Sequence, residues 1–282
     1  MTLLRVRRMG LSSLGIMSAV TRGGLLALML ASSVRGQGPA DDPFAFFKEE
    51  ATVTAAGKRA QPLSRAPANA FVITAVDIEL YGWRTLGEAM QSVPGFYVIH
   101  DRNYSYLWVR GFGRPGDYSN RVLLQLNGHR MNANVYGGSY WLHDASFDIR
   151  TVERIEVVKG PGSALHGDNA VFAVVNVITK RAGTAPAVEA IAELGSYRTH
   201  KEFLGVSRSF KDGGGLYAAG SYRLMGGQNH RSQAFAGTNG GVFVNGDREE
   251  SYTLYGLYER GGLLVHGSAS NRNKRIPTAS YG

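Results

Sequence analysis

From Ala70 onward, apolar positions come in short blocks broken by Gly, Pro, Asn and Asp, and their spacing changes from block to block. "AFVIT" has the density of a strand. Thr74 and Asp77, then Thr85 and Glu88, stand three apart at the entrance of two short segments, a capping pattern that predicts two helices. The second helix would carry Leu86, Ala89, Met90 and Val93 on one side and stop at Pro94-Gly95. Four strands follow, "FYVI", "YLWVRG", "RVLLQLNG" and "RIEVVKG". In the third, Val122, Leu124 and Leu126 share a face, and Asn127-Gly128 gives a tight turn. "VVNVITK" is a fifth. Roughly 110 residues of this pattern make an α+β domain large enough to bury a core.

From Ala187 the pattern lengthens. In "GGLYAAGSYRLMG", Leu216, Ala218, Gly220, Tyr222 and Leu224 alternate with Tyr217, Ala219, Ser221 and Arg223. In "GGLLVHGSASN", Leu263, Val265 and Ala269 oppose Leu264, His266, Ser268 and Ser270. Two-sided strands of about ten residues, apolar on one side and small or polar on the other, are the pattern of an outer-membrane barrel. A soluble antiparallel sandwich would read similarly. Residues 187–194, 199–210 and 252–260 alternate poorly.

The first 40 residues carry Arg5, Arg7, Arg8, Arg22 and Arg35 and no acid. Their two apolar runs, Leu11 to Val20 and Leu25 to Leu30, fall short of the ~20 residues that span a bilayer, so they read as an export signal ending near Gly36. Gln37 to Ala70 reads as a flexible leader with a β-prone island at Thr52, Val53 and Thr54.

Composition narrows the chemistry. Among 282 residues, 37 Gly, 14 Tyr and 12 Phe give a strand-and-turn composition, and the absence of Cys excludes disulfides, thiol catalysis and Cys-ligated zinc. Five of the formal +9 charges sit in the first 40 residues, and the remainder is too evenly spread to argue for nucleic acid. The seven His are scattered, with no His-x-x-x-His pair, Gly-x-Ser-x-Gly elbow or paired-carboxylate constellation. No catalytic residue, metal ligand or cofactor is assigned, and an enzyme is not expected.

The stretch "RIEVVKGPGSALHGDNAVFAVVNVITK" joins two apolar strands through a Gly-Pro-Gly turn. Ile155-Glu156-Val157-Val158, Lys159-Gly160-Pro161, Ser163-Ala164-Leu165-His166-Gly167, Ala170 and Val174 to Lys180 follow in order. Before them come Val93-Pro94-Gly95-Phe96, Val109-Arg110-Gly111-Phe112 and Leu126-Asn127-Gly128. This succession resembles the plug domain of TonB-dependent outer-membrane receptors. Two departures stand out: His166 where the family usually has Tyr or Trp, and Phe172-Ala173 where it usually has Gly-Gly, a loss of backbone freedom.

The resemblance implies an α+β plug domain followed by antiparallel β strands of an incomplete outer-membrane β-barrel. Its division would be a signal peptide over 1–36, a leader with a TonB box over 37–69, the plug over 70–182 and the first part of the barrel over 183–282. The TonB box would be Glu50, Ala51, Thr52, Val53, Thr54 and Ala55, an extended segment to which TonB, with its inner-membrane energising complex, adds a strand. The plug signature would include Arg110, Gly111, Arg154, Glu156, Lys159, Gly160, Pro161 and Gly167. Glycines 111, 113 and 128 and the Gly160-Pro161-Gly162 turn would bring backbone close to the wall, and Arg110, Arg154, Glu156 and Lys159 would meet a wet interior or solvent. The apical loops would offer Arg102, Tyr104, Tyr106, Arg114, Tyr118, Tyr136, Tyr140 and Trp141 to a ligand, because Tyr and Trp give broad faces with polar tips and Arg reads anions. A ferric siderophore or other bulky anionic chelate leads; cobalamin, a haem-type ligand, a saccharide or a peptide are alternatives. Roughly 100 residues after Lys180 suffice for about four to six membrane strands, too few to close a barrel of about 22. The chain is therefore expected to be part of a longer receptor or a truncated remnant that does not transport, with outer-membrane lipid around its strands.

Overall fold

The computed structural model describes residues 52–55, 57, 61–62, 64, 69–114, 116–211 and 213–277. The expected signal peptide, and Glu50 and Ala51 of the expected TonB box, lie outside them.

Two short strands, β1 (Thr52–Val53) and β2 (Gln61–Pro62), pair antiparallel ahead of the first domain. β3 (Asn69–Thr74) then leads into helix α1 (Ala75–Leu80), where the capping box is closed in both directions between Thr74 and Asp77. Helix α2 (Leu86–Met90) starts with the Thr85 hydroxyl accepting from the Glu88 N–H, and buries Leu86, Ala89 and Met90. The strands β4 (Phe96–His100) and β5 (Ser105–Val109) form a hairpin. β6 (Val122–Leu126), β7 (His129–Arg130), β8 (Val152–Lys159) and β9 (Ala173–Thr179) join β3 in a mixed sheet ordered β3-β8-β9-β6-β7. Only β6 and β9 run parallel in it. The signature loop between β8 and β9 contains helix α3 (Ser163–His166), so the Ala-Leu segment is one helical turn.

The second half is an antiparallel sheet ordered β10 (Val188–Gly195), β11 (Thr199–Ser209), β12 (Gly215–Met225), β15 (Glu249–Arg260) and β16 (Leu263–Lys274). Among the described residues it stays open. Between β12 and β15 a long loop carries its own small hairpin, β13 (His230–Arg231) with β14 (Val242–Phe243).

Register puts Leu204, Gly220, Leu254 and Ala269 side by side across four strands, and Val206, Ala218, Gly256 and Gly267 beside them. Leu204, Leu254 and Val265 are exposed, while Phe203, Tyr217, Tyr255 and Leu257 on the other face are buried. The buried side chains belong to the same cluster as Ile73, Met90, Trp141 and Ile155 of the first domain. The three stretches that alternate poorly in sequence are thus regular strands. Their inward sides are mixed, with Ile191, Phe203, Tyr255 and Leu257 beside Glu189, Glu193 and Lys201, because they meet a domain and not water alone, and this blurs the contrast that alternation depends on. No described helix is long and apolar enough to cross a membrane.

Candidate functional site

At one end of the first domain, the β4–β5 turn is organised by Asp101. Its carboxylate accepts from the Asn103 N–H at 2.8 Å, the Tyr104 N–H at 2.6 Å and the Tyr106 hydroxyl at 2.7 Å. Burial alone would raise its pKa, but these hydrogen bonds together hold it below the usual carboxylate range. The turn presents Arg102 outward in a left-handed conformation, φ 74°. Beside it Tyr118 is the hub of an aromatic cluster, 5.7 Å edge-on from Tyr104 and 6.0 Å from both Tyr106 and Tyr136. The cluster runs from core to surface, since Tyr106 is buried and Tyr136 is 72% exposed. Arg114 and Tyr140 are exposed on the neighbouring loops.

Trp141 is a correction. It is fully buried, its carbonyl accepts from the Gly87 N–H at 2.6 Å, and it packs in the main core. An indole beside a helix in an apolar cluster is a core anchor, and it cannot face a ligand there.

Between this domain and the sheet lies a polar seam. Glu249, almost fully buried, accepts from Arg223, Arg272 and Lys274 at 3.3, 3.3 and 2.9 Å, and Arg272 also donates to the Asn103 carbonyl. Lys201 pairs with Asp148 at 2.9 Å. His143 is driven down to about 3, mainly by burial and then by the nearby Arg223 charge. Further along, the Asn127 side-chain amide donates to Thr179 Oγ1 and to the Tyr255 hydroxyl, at 3.0 and 2.9 Å.

The third site is the segment 52–55. Val53 and Ala55 are buried against Leu123, Val158, Ala170 and Val174. The N–H groups of Thr54 and Ala55 both donate to Glu156 Oε2 at 2.8 Å, while Arg154 holds Glu156 Oε1. The Ala55 carbonyl accepts from His166 Nε2 at 2.8 Å. Thr54 lines the same cavity as Arg181, which pairs with Glu259, whereas the aromatic end lies toward Glu249. Ten residues of extended β15 separate those two glutamates, about 34 Å.

Residues 62–174 match the model of the TonB-dependent Receptor Plug Domain. Those residues are a TonB-dependent receptor plug domain. Its sequence is 32% identical over 176 residues to the vitamin B12 transporter BtuB of Vibrio vulnificus, covering 61% of the chain and 28% of that protein. It is 30% identical over 168 residues to the ferrichrome outer membrane transporter/phage receptor of Escherichia coli, covering 58% and 21%. In fold it is similar to the pyoverdine receptor FpvA of Pseudomonas aeruginosa, with TM-score 0.59, 19% identity, and coverage of 79% and 27%. The ferric yersiniabactin receptor FyuA of Yersinia pestis gives 0.54, 17%, 73% and 31%. The chain thus spans less than a third of these relatives, and its strands after the plug are of outer-membrane barrel type.

Within the plug, the signature glycines act through conformation. Gly111, Gly128 and Gly160 have φ of 78°, 84° and 126°, and a Cβ there would meet nothing within 4 Å, so left-handed backbone and not closeness to the wall is what requires them. Gly113 does need closeness, though to the plug's own Trp108: a Cβ would fall 2.1 Å from that indole. Phe172 and Ala173 both keep negative φ, and the Phe172 carbonyl accepts from the Gly160 N–H, so the backbone at this point does not require glycine. Of the signature charges, Glu156 and Arg154 turn inward onto the 52–55 segment; Arg110 is exposed at φ 52°, and Lys159 donates to the Pro94 carbonyl. Sequence reading missed Glu249, Arg272 and Tyr255, whose importance comes from facing a separate domain, and His230, in a loop without periodicity.

Proposed function

We propose that this chain is the plug-bearing part of a receptor for energy-coupled uptake of a bulky anionic chelate, a ferric siderophore being the leading ligand class. The observation that supports it best is the Tyr118-centred cluster beside Arg102, a broad polarisable face with a cation at its edge. Cobalamin is the second reading, favoured by the 32% identity with a vitamin B12 transporter. In this reading residues 1–36 direct export, 37–69 carry the TonB box, 70–182 are the plug and the remainder begins the wall.

The 52–55 segment is read as the TonB box. Strand addition by TonB uses backbone N–H and C=O groups. Those of Thr54 and Ala55 are engaged by Glu156 and His166, so partner binding competes with the clamp. Glu156→Gln removes a charge-assisted acceptor worth about 1.5–3 kcal/mol and is expected to speed thiol labelling of Thr54→Cys at least tenfold. Unchanged labelling would refute the clamp.

The ligand reading is tested by saturation binding of a radio-iron tris-catecholate complex, and of cobalamin, to membranes bearing the full chain. The iron complex is expected to bind saturably, and Tyr118→Ala to weaken it about tenfold, in line with loss of one aromatic contact. Saturable cobalamin binding alone would move the assignment to the second reading.

A further inference from the structure

The loop between β12 and β15 meets the plug at Arg102. Arg102 Nη1 stands 3.2 Å from His230 Nδ1 and 3.4 Å from Nε2, and His230 Nε2 is 3.4 Å from Asp247 Oδ1. Arginine has only donors, so the imidazole must offer it a lone pair. Nδ1 is then the acceptor, and Nε2–H is left to donate to Asp247. Asp247 is fixed from behind, because its Oδ1 also accepts from the Gln228 N–H. Arg102 is equally constrained on the plug side: its own N–H donates to His100 Nδ1 at 3.2 Å, in the left-handed turn set by Asp101. A non-glycine residue held at positive φ persists only where the surroundings over-determine it, and such residues concentrate at ligand clamps.

We propose that His230, oriented by Asp247, is a wall residue of the ligand face: it docks the 226–248 loop onto Arg102 as a neutral placeholder that an anionic group of the ligand displaces. A carboxylate, catecholate or phosphate satisfies a guanidinium better than imidazole does, since a charged acceptor gives shorter and stronger hydrogen bonds. Ligand arrival would then free the loop from the plug and turn His230 toward Asp247 alone. This rests on the reading of the apex as the ligand face.

The chain has no native cysteine, so Gly237→Cys, at an exposed site with open space around it, accepts a single nitroxide label on that loop. In detergent-solubilised full chain, His230→Leu and Arg102→Gln are each expected to raise the mobile spectral fraction up to about fivefold, the scale of one exposed charged contact. His230→Gln, which keeps an acceptor, is expected to stay near the parent. A ferric tris-catecholate probe is expected to raise mobility in the parent and add nothing in Arg102→Gln. An unchanged spectrum in His230→Leu overturns the docking. Docking that depends on His230 but ignores the ferric probe, at a concentration where that probe binds saturably, overturns the displacement step and leaves the apical ligand reading standing; absence of saturable binding overturns that reading.

Discussion

The plug sheet and the wall sheet are both five-stranded, yet they place their apolar residues oppositely. In β9 of the plug every residue from Ala173 to Thr179 is buried, because helices and loops cover one face and the wall approaches the other. In β11 of the wall, Leu204 and Val206 are exposed while Phe203 and Lys201 are buried. The difference is one of solvent. The plug is an ordinary core that excludes water, whereas the wall turns its apolar side to lipid and keeps a mixed side for the plug. A substitution should therefore cost most in the plug where it opens a cavity, and most in the wall where it adds charge outside.

The largest effect is expected from Trp141→Ala, which empties a fully buried indole site at about 3–5 kcal/mol. Denaturant unfolding followed by plug-specific probes would check it, and a loss below about 1 kcal/mol would return Trp141 to the surface. On the wall, Leu254→Arg puts a charge on the outward face beside Gly220 and Ala269. It is expected to weaken folding into lipid vesicles by about 2–4 kcal/mol while leaving detergent-solubilised plug unfolding unchanged. Equal losses in both media would mean that this face packs on protein.

Acid provides a graded test of the seam between the two regions. His143 in the folded chain is held near 3 against an ordinary 6.5, mainly by burial, so the unfolded chain binds the extra proton more readily. Stability is then full above about 6.5 and falls as pH drops toward 3, by at most about 1.4 kcal/mol per pH unit and less because the ring is partly exposed. His143→Gln is expected to flatten that slope. A variant as acid-sensitive as the parent would shift the origin to the carboxylates nearby.

How much of this was legible in the sequence depends on where each signal resides. Caps are local, and Thr74-Asp77 and Thr85-Glu88 predicted the first two helices of the plug correctly. Six plug strands, β3, β4, β5, β6, β8 and β9, were legible as apolar runs, and β5, β6 and β8 also stop at Arg110-Gly111, Asn127-Gly128 and Gly160-Pro161; the two-residue β7 carries no such run. Residues 249–260 were not, since Tyr255 and Leu257 face a separate domain and mask the two-residue period. The aromatic apex was legible as composition, but Trp141 was misplaced because burial of a loop indole depends on the helix that packs over it. His230 carried no pattern at all; it matters only because the chain folds it onto Arg102.

The smallest expected effect sharpens the comparison most, because it separates a packing contact from a tether. Tyr255 fills a buried position of the wall and its hydroxyl meets Thr179 and Asn127 of the plug at 2.8 and 2.9 Å. Asn127 donates its amide to that hydroxyl, a bond that a carboxylate could only reverse. Tyr255→Phe keeps the ring and removes the bond, so it is expected to cost about 1 kcal/mol or somewhat more if the Asn127 amide is left unpaired. Asn127→Asp, which can still accept from the phenol and from the Thr179 N–H, is expected to cost less than Tyr255→Phe. A double-mutant cycle on plug unfolding within the full chain would measure the coupling. Zero coupling would leave the wall holding the plug by shape and charge alone, and coupling near 1 kcal/mol would make this one phenol a specific plug-to-wall tether.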